Sequence, residues 1–328
     1  MKNSIDEKII AYISQKNQAS PIELVGYLSI SRQTVAKKLK KLIEQGKLSK
    51  TGAPPKVFYS LASPKELTAN KVVTVLAPDI ARIINERYLY TSPAGEMKEG
   101  VAGFNYWCNK TGQPVKKTAQ EYIHTLAKYD AYKKHGYING MKKFRSTFTE
   151  IFLDEIFYLD FYSIERFGKT RLGQLLLYAK QGQNRRLMNQ LVNDIRPHVE
   201  YLIAEYRIDA IGFIPPTVKR EVQLMHELKR RLAVPQRNIA LTKVTSDVAV
   251  PQKTLSKLED RIENANKTIL LTEKQPEKNI LLIDDAVGSG ATLNEVAQKL
   301  RTQNLCTGKI IGLAITGSFK RFDVVSEV

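Results

Sequence analysis

The chain has 328 residues, of which 43 % are hydrophobic and 26 % charged, a globular composition long enough for two or three domains. No apolar run reaches the ~18 residues of a bilayer span, and the N-terminal MKNSIDEK lacks a signal-peptide core, so the expectation is a cytoplasmic protein with no membrane contact. Lys and Arg number 51 against 33 acids, and the formal charge of +18 favours an anionic partner, either nucleic acid or a phosphorylated ligand.

Residues 1–62 read as one unit. Ile5, Ile9, Ile10 and Ile13 recur at helical spacing between Ser4 and Lys16, and Pro21 opens a second helix carrying Ile22, Leu24, Val25 and Leu28. Ser31 suits the N-cap of a third helix that stops at Gly46, with Val35, Leu39, Leu42 and Ile43 as its apolar face. Strand-like KLS (47–49) and KVFYSLA (56–62) flank the turn TGAPP. Three helices and a hairpin in this order resemble a winged helix-turn-helix domain. In that family the third helix enters the major groove of double-stranded DNA, which here would present Arg32, Gln33, Lys37, Lys38 and Lys41. Residues 31–50 hold seven basic residues and one acid, Glu44, a bias that favours nucleic acid over a purely protein-binding role.

Residues 63–150 read as a mainly helical connecting region. SPKELTAN resembles a linker, and a helix is expected from Pro78 through YLY. TSPAGEMKEGVAGFNYWCNKTGQPV is expected to be ordered but irregular. The next segment is helical, with Tyr122, Leu126 and Tyr129 facing a core. His124 and His135 have no paired ligands, Phe104 and Trp107 read as core, and Cys108 and Cys306 fit neither a zinc site nor a disulfide framework.

Residues 151–328 alternate strand and helix patterns, which implies a mostly parallel sheet covered by helices. Expected helices include VKREVQLMHELKRRL and LSKLEDRIENA, and expected strands include IDAIGFIPP, NIALTKV, DVAV, NILLIDD and KIIGLAIT.

The segment NILLIDDAVGSGATLNEVAQKL carries the chemistry. A buried strand, Ile280–Ile283, delivers Asp284 and Asp285 to its C-terminal end, where ligands of open α/β sheets bind. Gly288 and Gly290 let backbone N–H groups curl inward, a helix starting near Thr292 or Leu293 adds its positive end, and Ser289 and Thr292 offer hydroxyls. That combination suits a terminal phosphate, with the aspartates holding ribose hydroxyls. Neither GxGxxG nor GxxxxGK[ST] is present.

ILLIDDAVGSGAT resembles throughout the 5-phosphoribosyl-1-pyrophosphate (PRPP) motif of type I phosphoribosyltransferases. The resemblance implies an α/β, parallel-sheet phosphoribosyltransferase fold at 151–328, behind a small α+β winged-helix domain at 1–62 and a mainly helical region at 63–150. It implies Asp284 and Asp285 on the ribose and on Mg²⁺, and Ala286, Val287, Gly288, Ser289, Gly290, Ala291 and Thr292 around the phosphate. The order of the preceding segments resembles the ComF-like branch. By that likeness Pro215–Arg220 is the pyrophosphate loop, with Lys219 and Arg220 facing pyrophosphate. Gln252, Leu255, Arg261 and Asn264 stand for the branch's Q…L…R…N segment, and Lys253, Lys257 or Arg261 would close on the leaving group. The branch's arginine-glycine-phenylalanine-asparagine signature is absent, with KREVQLM in its place.

Three functions follow from the resemblance. The first is a DNA-associated regulator that binds PRPP or a related phosphoribosyl nucleotide, as in purine-responsive repressors. The second is a Mg²⁺-dependent transferase moving phosphoribose to a base or amine, with Asp284, Asp285 and Arg261 in catalytic roles. The third is a defence or nucleic-acid processing component using the domain as sensor or effector. Gly288 stands where hypoxanthine-guanine enzymes carry an acid, which argues against that substrate class. A homodimer is the expected assembly.

Overall fold

Ser4, Ser20 and Ser31 each open a helix, because a serine in extended backbone lends its hydroxyl to an N–H that the first turn leaves unpaired. The computed structural model describes residues 4–62 and 74–318; the linker expected at 63–70 lies outside them. The chain divides into two units, Met1–Ile123 and His124–Val328.

In the first unit, α1 (Ile5–Lys16), α2 (Pro21–Leu28) and α3 (Arg32–Glu44) follow the three serines. Glu7 and Glu23 accept back from the Ser4 and Ser20 N–H groups at 2.9 and 2.6 Å, completing two capping boxes. α3 stops because Gly46 takes a φ of 69°, so that Lys47 N–H donates to Leu42 O at 2.9 Å and Gly46 N–H to Ile43 O at 2.8 Å. β1 (Leu48–Ala53) and β2 (Lys56–Leu61) pair antiparallel as a wing. Ala19 and Tyr59 exchange backbone hydrogen bonds at 2.9 and 2.8 Å and tie the α1–α2 loop to the wing. Ile9, Ile13, Leu24, Val35, Leu39 and Leu42, all picked out by the helical spacing, form the shared core, whereas Ile22 of α2 is exposed.

Residues 74–123 are more regular than their glycines suggest. α4 (Pro78–Arg87) ends before YLY, because Leu89–Thr91 (β3) pairs antiparallel with Met97–Glu99 (β4). The stretch expected to be irregular is largely helix α5 (Gly100–Thr111). Gly103 permits it: a Cβ there would stand 2.2 Å from Lys98 O. Phe104 is fully buried, and Tyr88 meets it and Tyr122 edge-on at 5.0 and 5.4 Å, so this aromatic cluster is core. α6 (Val115–Asp130) buries Tyr122, Leu126 and Tyr129 as its periodicity predicts. His124 and His135 are exposed, and both cysteines are buried and outside any disulfide.

The second unit is a mixed α/β domain whose sheet is partly parallel. A hairpin of β5 (Lys133–Lys134) and β6 (Tyr137–Asn139) is followed by the short α7 (Met141–Arg145) and then β7 (Glu155–Phe161). After the small β8 (Ser163–Ile164) and β9 (Gly168–Lys169) come α8 (Arg171–Gln181) and α9 (Arg185–Tyr206). Next are β10 (Ala210–Phe213), α10 (Leu224–Leu232), β11 (Arg237–Asn238) and β12 (Leu241–Lys243). The last described elements are α11 (Leu258–Thr268), β13 (Ile269–Leu271), β14 (Ile280–Val287), α12 (Ala291–Thr302) and β15 (Ile310–Gly317). Three expected elements differ. Residues 214–223 form a loop, so α10 starts only at Leu224; NIALTKV (238–244) is divided between β11 and β12, which lie in different sheets; and DVAV (247–250) is bend and loop rather than strand.

The main sheet runs β11-β10-β14-β15-β7-β6-β5, with β11 through β7 parallel and β6 and β5 antiparallel. The chain leaves β10 toward β11 on one side and later returns through β14 to β15 on the other. The order therefore reverses between β10 and β14, which opens a crevice at their C-terminal ends. Right-handed crossovers put α8, α9 and α10 on one face and α12 on the other. The packing agrees: α9 contacts α8 and α10, and α11 contacts α12.

Candidate functional site

The crevice holds a cleft of about 190 Å³. Its floor is the end of β14, its far lip the loop 288–290 and the start of α12, and its near wall the loop after β10. The strand is longer than the sequence suggests. β14 runs through both aspartates to Val287, with Asp284 opposite Ala314 and Ala286 opposite Thr316 on β15. Asp284 and Asp285 both reach the cleft lining from this strand end.

Two lysines line the cleft with these carboxylates. Asp285 Oδ2 lies 2.6 Å from Lys180 Nζ in the last turn of α8. Asp284 Oδ1 accepts the Asp285 N–H at 2.8 Å, and its charge is felt by Lys243 on β12. Asp284 is sunk deep in the fold but partly open to the cleft. Burial, and then the neighbouring Asp285 charge, push its carboxyl well above the usual range. Burial pulls Lys243 below the usual lysine range, and its ammonium donates to Asn264 Oδ1 at 3.2 Å.

The glycine loop is shaped by what surrounds it. Gly290 has φ 85° and precedes α12 with no side-chain cap; only the Ala291 N–H is taken, by Ser289 Oγ at 3.3 Å. The start of α12 therefore faces the cleft as an anion-binding end. Arg261 is 5 % exposed, its Nε donates to Leu255 O at 2.7 Å, and burial lowers its pKa. Its Nη1 would lie 3.8 Å from a Cβ on Gly288, which brings the guanidinium beside the loop. Gln252 Nε2 donates to Arg261 O at 2.9 Å and also lines the cleft.

Most of the residues named from the sequence thus converge. Asp284, Asp285, Arg261, Arg220 and the run Ala286 to Thr292 all line the cleft. Arg220 Nη2 donates to Gln181 Oε1 at 3.2 Å. Lys219 is exposed and lies outside the lining, and Lys257 is exposed just before α11. Lys180 and Lys243 were missed. Lys180 looks like any last-turn lysine, and Lys243 sits in a short strand without a pattern of its own. Lys180 occupies Asp285 Oδ2, and no group of three metal-ligating acids, histidines or cysteines occurs among the described residues.

On α3 the side chains of Arg32, Gln33, Lys37 and Lys41 are exposed. Lys38 is half-buried and pairs with Asp6 of α1 at 2.9 Å, and Lys41 reaches the same carboxyl at 3.6 Å. The hydrogen bond from Lys38 holds Asp6 below the usual carboxylate range.

A DeoR-like helix-turn-helix family model matches residues 6–52, which run from α1 into β1. The N-terminal unit therefore contains a helix-turn-helix domain of that kind, and this supports a DNA-associated role. No curated protein matches the chain. Among the described residues no helix is long and apolar enough to cross a membrane.

Proposed function

We propose that the second unit binds PRPP or a related phosphoribosyl nucleotide in the manner of type I phosphoribosyltransferases, and that the chain is a regulator whose helix-turn-helix domain responds to that ligand on double-stranded DNA. The supporting observation is the meeting of an acid pair, a glycine loop with an uncapped helix start, and Arg261 and Arg220 in one crevice at the reversal of strand order. In this reading the N–H groups around Gly288–Thr292 hold the 5′-phosphate. Asp284 and Asp285 accept from the ribose hydroxyls, and Arg220 faces the pyrophosphate. Any Mg²⁺ enters as a counter-ion on the ligand's own phosphates. A homodimer would present two α3 helices to successive major-groove half-sites.

Calorimetry with PRPP on the intact chain and on an Asp284→Asn, Asp285→Asn double variant tests the reading. Binding that the double variant abolishes is the expected result; a folded intact chain that binds no PRPP removes it.

A working transferase is the second reading, favoured by Gln252 and Arg261, which carry the segment before β13 into the cleft. There the C1–oxygen bond of PRPP breaks, pyrophosphate leaves with the electron pair, and an acceptor nitrogen bonds to C1. Arg261 and Arg220 would stabilise the charge gathering on the leaving group. Pyrophosphate release in the presence of base and amine acceptors separates the two readings.

A further inference from the structure

The cleft's carboxylates are already balanced by the protein's own cations. Lys180 Nζ sits 2.6 Å from Asp285 Oδ2, with the two side chains only 16 % and 15 % exposed, so the pair is largely shielded from water and salt. Lys243 is half-buried, lines the cleft with Asp284 and donates to Asn264 Oδ1 at 3.2 Å. Arg220 and Arg261 also line the cleft, and Asp284 and Asp285 are the acids in that lining. Four cations therefore face two carboxylates, and the uncapped start of α12 adds its positive end.

This charge pattern attracts anions and repels a free divalent cation. Magnesium favours carboxylate oxygens converging with substrate phosphates around one point. Here the oxygen of Asp285 nearest a cation is occupied by an ammonium. An ammonium has three donors, so Lys180 can keep its bond to Asp285 and still donate to a ligand oxygen.

We infer that the cleft holds its phosphorylated sugar ligand without a divalent cation, with Lys180 and Lys243 supplying the positive charge beside Asp284 and Asp285. The inference rests on the phosphoribosyl-ligand reading above. It makes Lys180 a binding residue and separates this site from one in which a metal bridges ligand and protein.

The test titrates the full chain with PRPP and with ribose 5-phosphate by calorimetry, in Mg²⁺ and in EDTA, and repeats both titrations with Lys180→Met. Ribose 5-phosphate carries no pyrophosphate to chelate the metal, so it reports the protein's own need for the ion. The wild type should bind it with affinities within about threefold in the two buffers, a difference of roughly 0.7 kcal/mol or less. Lys180→Met should lose about tenfold or more in EDTA, because Asp285 is left uncompensated beside an anionic ligand. A wild type that loses about tenfold or more in EDTA overturns the inference and leaves the ligand reading standing. A folded Lys180→Met that binds as tightly as wild type in EDTA also overturns it, because Lys180 then only ties α8 to β14. A wild type that binds neither probe in either buffer removes the ligand reading and this inference with it. The wild-type comparison stands even where the variant fails to fold.

Discussion

The ring of Phe144 fills the space beside Gly290: a Cβ built on that glycine would stand 2.1 Å from Phe144 Cε2. Gly290 also has φ 85°, a region that L side chains rarely adopt. Gly290→Ala should therefore destabilise the second unit by on the order of 1–3 kcal/mol from the backbone alone, with the clash adding to it. Gly288 is different, since its nearest neighbour would be Arg261 Nη1 at 3.8 Å and its φ is not in the positive range. Gly288→Ala should change stability by less than about 1 kcal/mol while crowding the guanidinium and weakening ligand binding. Urea unfolding of the two variants checks this; equal melting behaviour would show that Phe144 yields easily.

The helix-turn-helix surface makes a graded prediction. Lys37 is exposed with its ammonium available to phosphate, whereas Lys38 is committed to Asp6 at 2.9 Å. Lys37→Ala should lower the slope of log K against log salt by about 1, the amount of one phosphate contact. Lys38→Ala should lower it less and instead reduce stability. DNA binding measured across a salt series decides, and a larger slope change for Lys38→Ala would mean that Asp6 releases it on DNA.

Arg261 should not tolerate lysine. Its Nε donates to Leu255 O while its Nη1 lies beside Gly288, and a single ammonium cannot occupy both places. Arg261→Lys should weaken PRPP binding by about tenfold or more and cost roughly 1–3 kcal/mol of stability through the unpaired Leu255 carbonyl. Calorimetry and urea unfolding measure the two effects separately.

An acid-dependent stability component should map to Glu273. Burial by itself would raise its pKa, but hydrogen bonds from Arg237 and from the Lys274 and Gln275 N–H groups outweigh this and hold it at about 2. A carboxyl depressed in the folded state stabilises above its ordinary pKa, and that contribution is lost as pH falls toward about 2. Glu273→Gln should therefore destabilise the chain at neutral pH, with the difference from wild type shrinking as the medium becomes acid. Unfolding measured between neutral and acid pH tests the sign; a gap that widens in acid would refute it.

The sequence by itself determined the elements whose signals are local. Ser4, Ser31, Gly46 and the isoleucine and leucine spacing around them specify three helices and a wing, because capping and 3.6-residue periodicity act within a few residues. The apolar run Ile280–Ile283 followed by two acids and a glycine loop likewise specifies a buried strand, a turn and a helix. The helix start expected at Val218 and the strand expected at DVAV differ because a short amphipathic or β-branched run does not say whether a partner strand or helix will receive it. Only the tertiary structure decided which cations face the acid pair. Lys180 and Lys243 lie 105 and 41 positions before Asp285 and Asp284 in the chain, and it is the strand order and the crossover of α8 that bring them to the end of β14. Long-range pairing of this kind leaves no pattern in either local segment, so the charge balance of the cleft becomes visible only once the sheet is assembled.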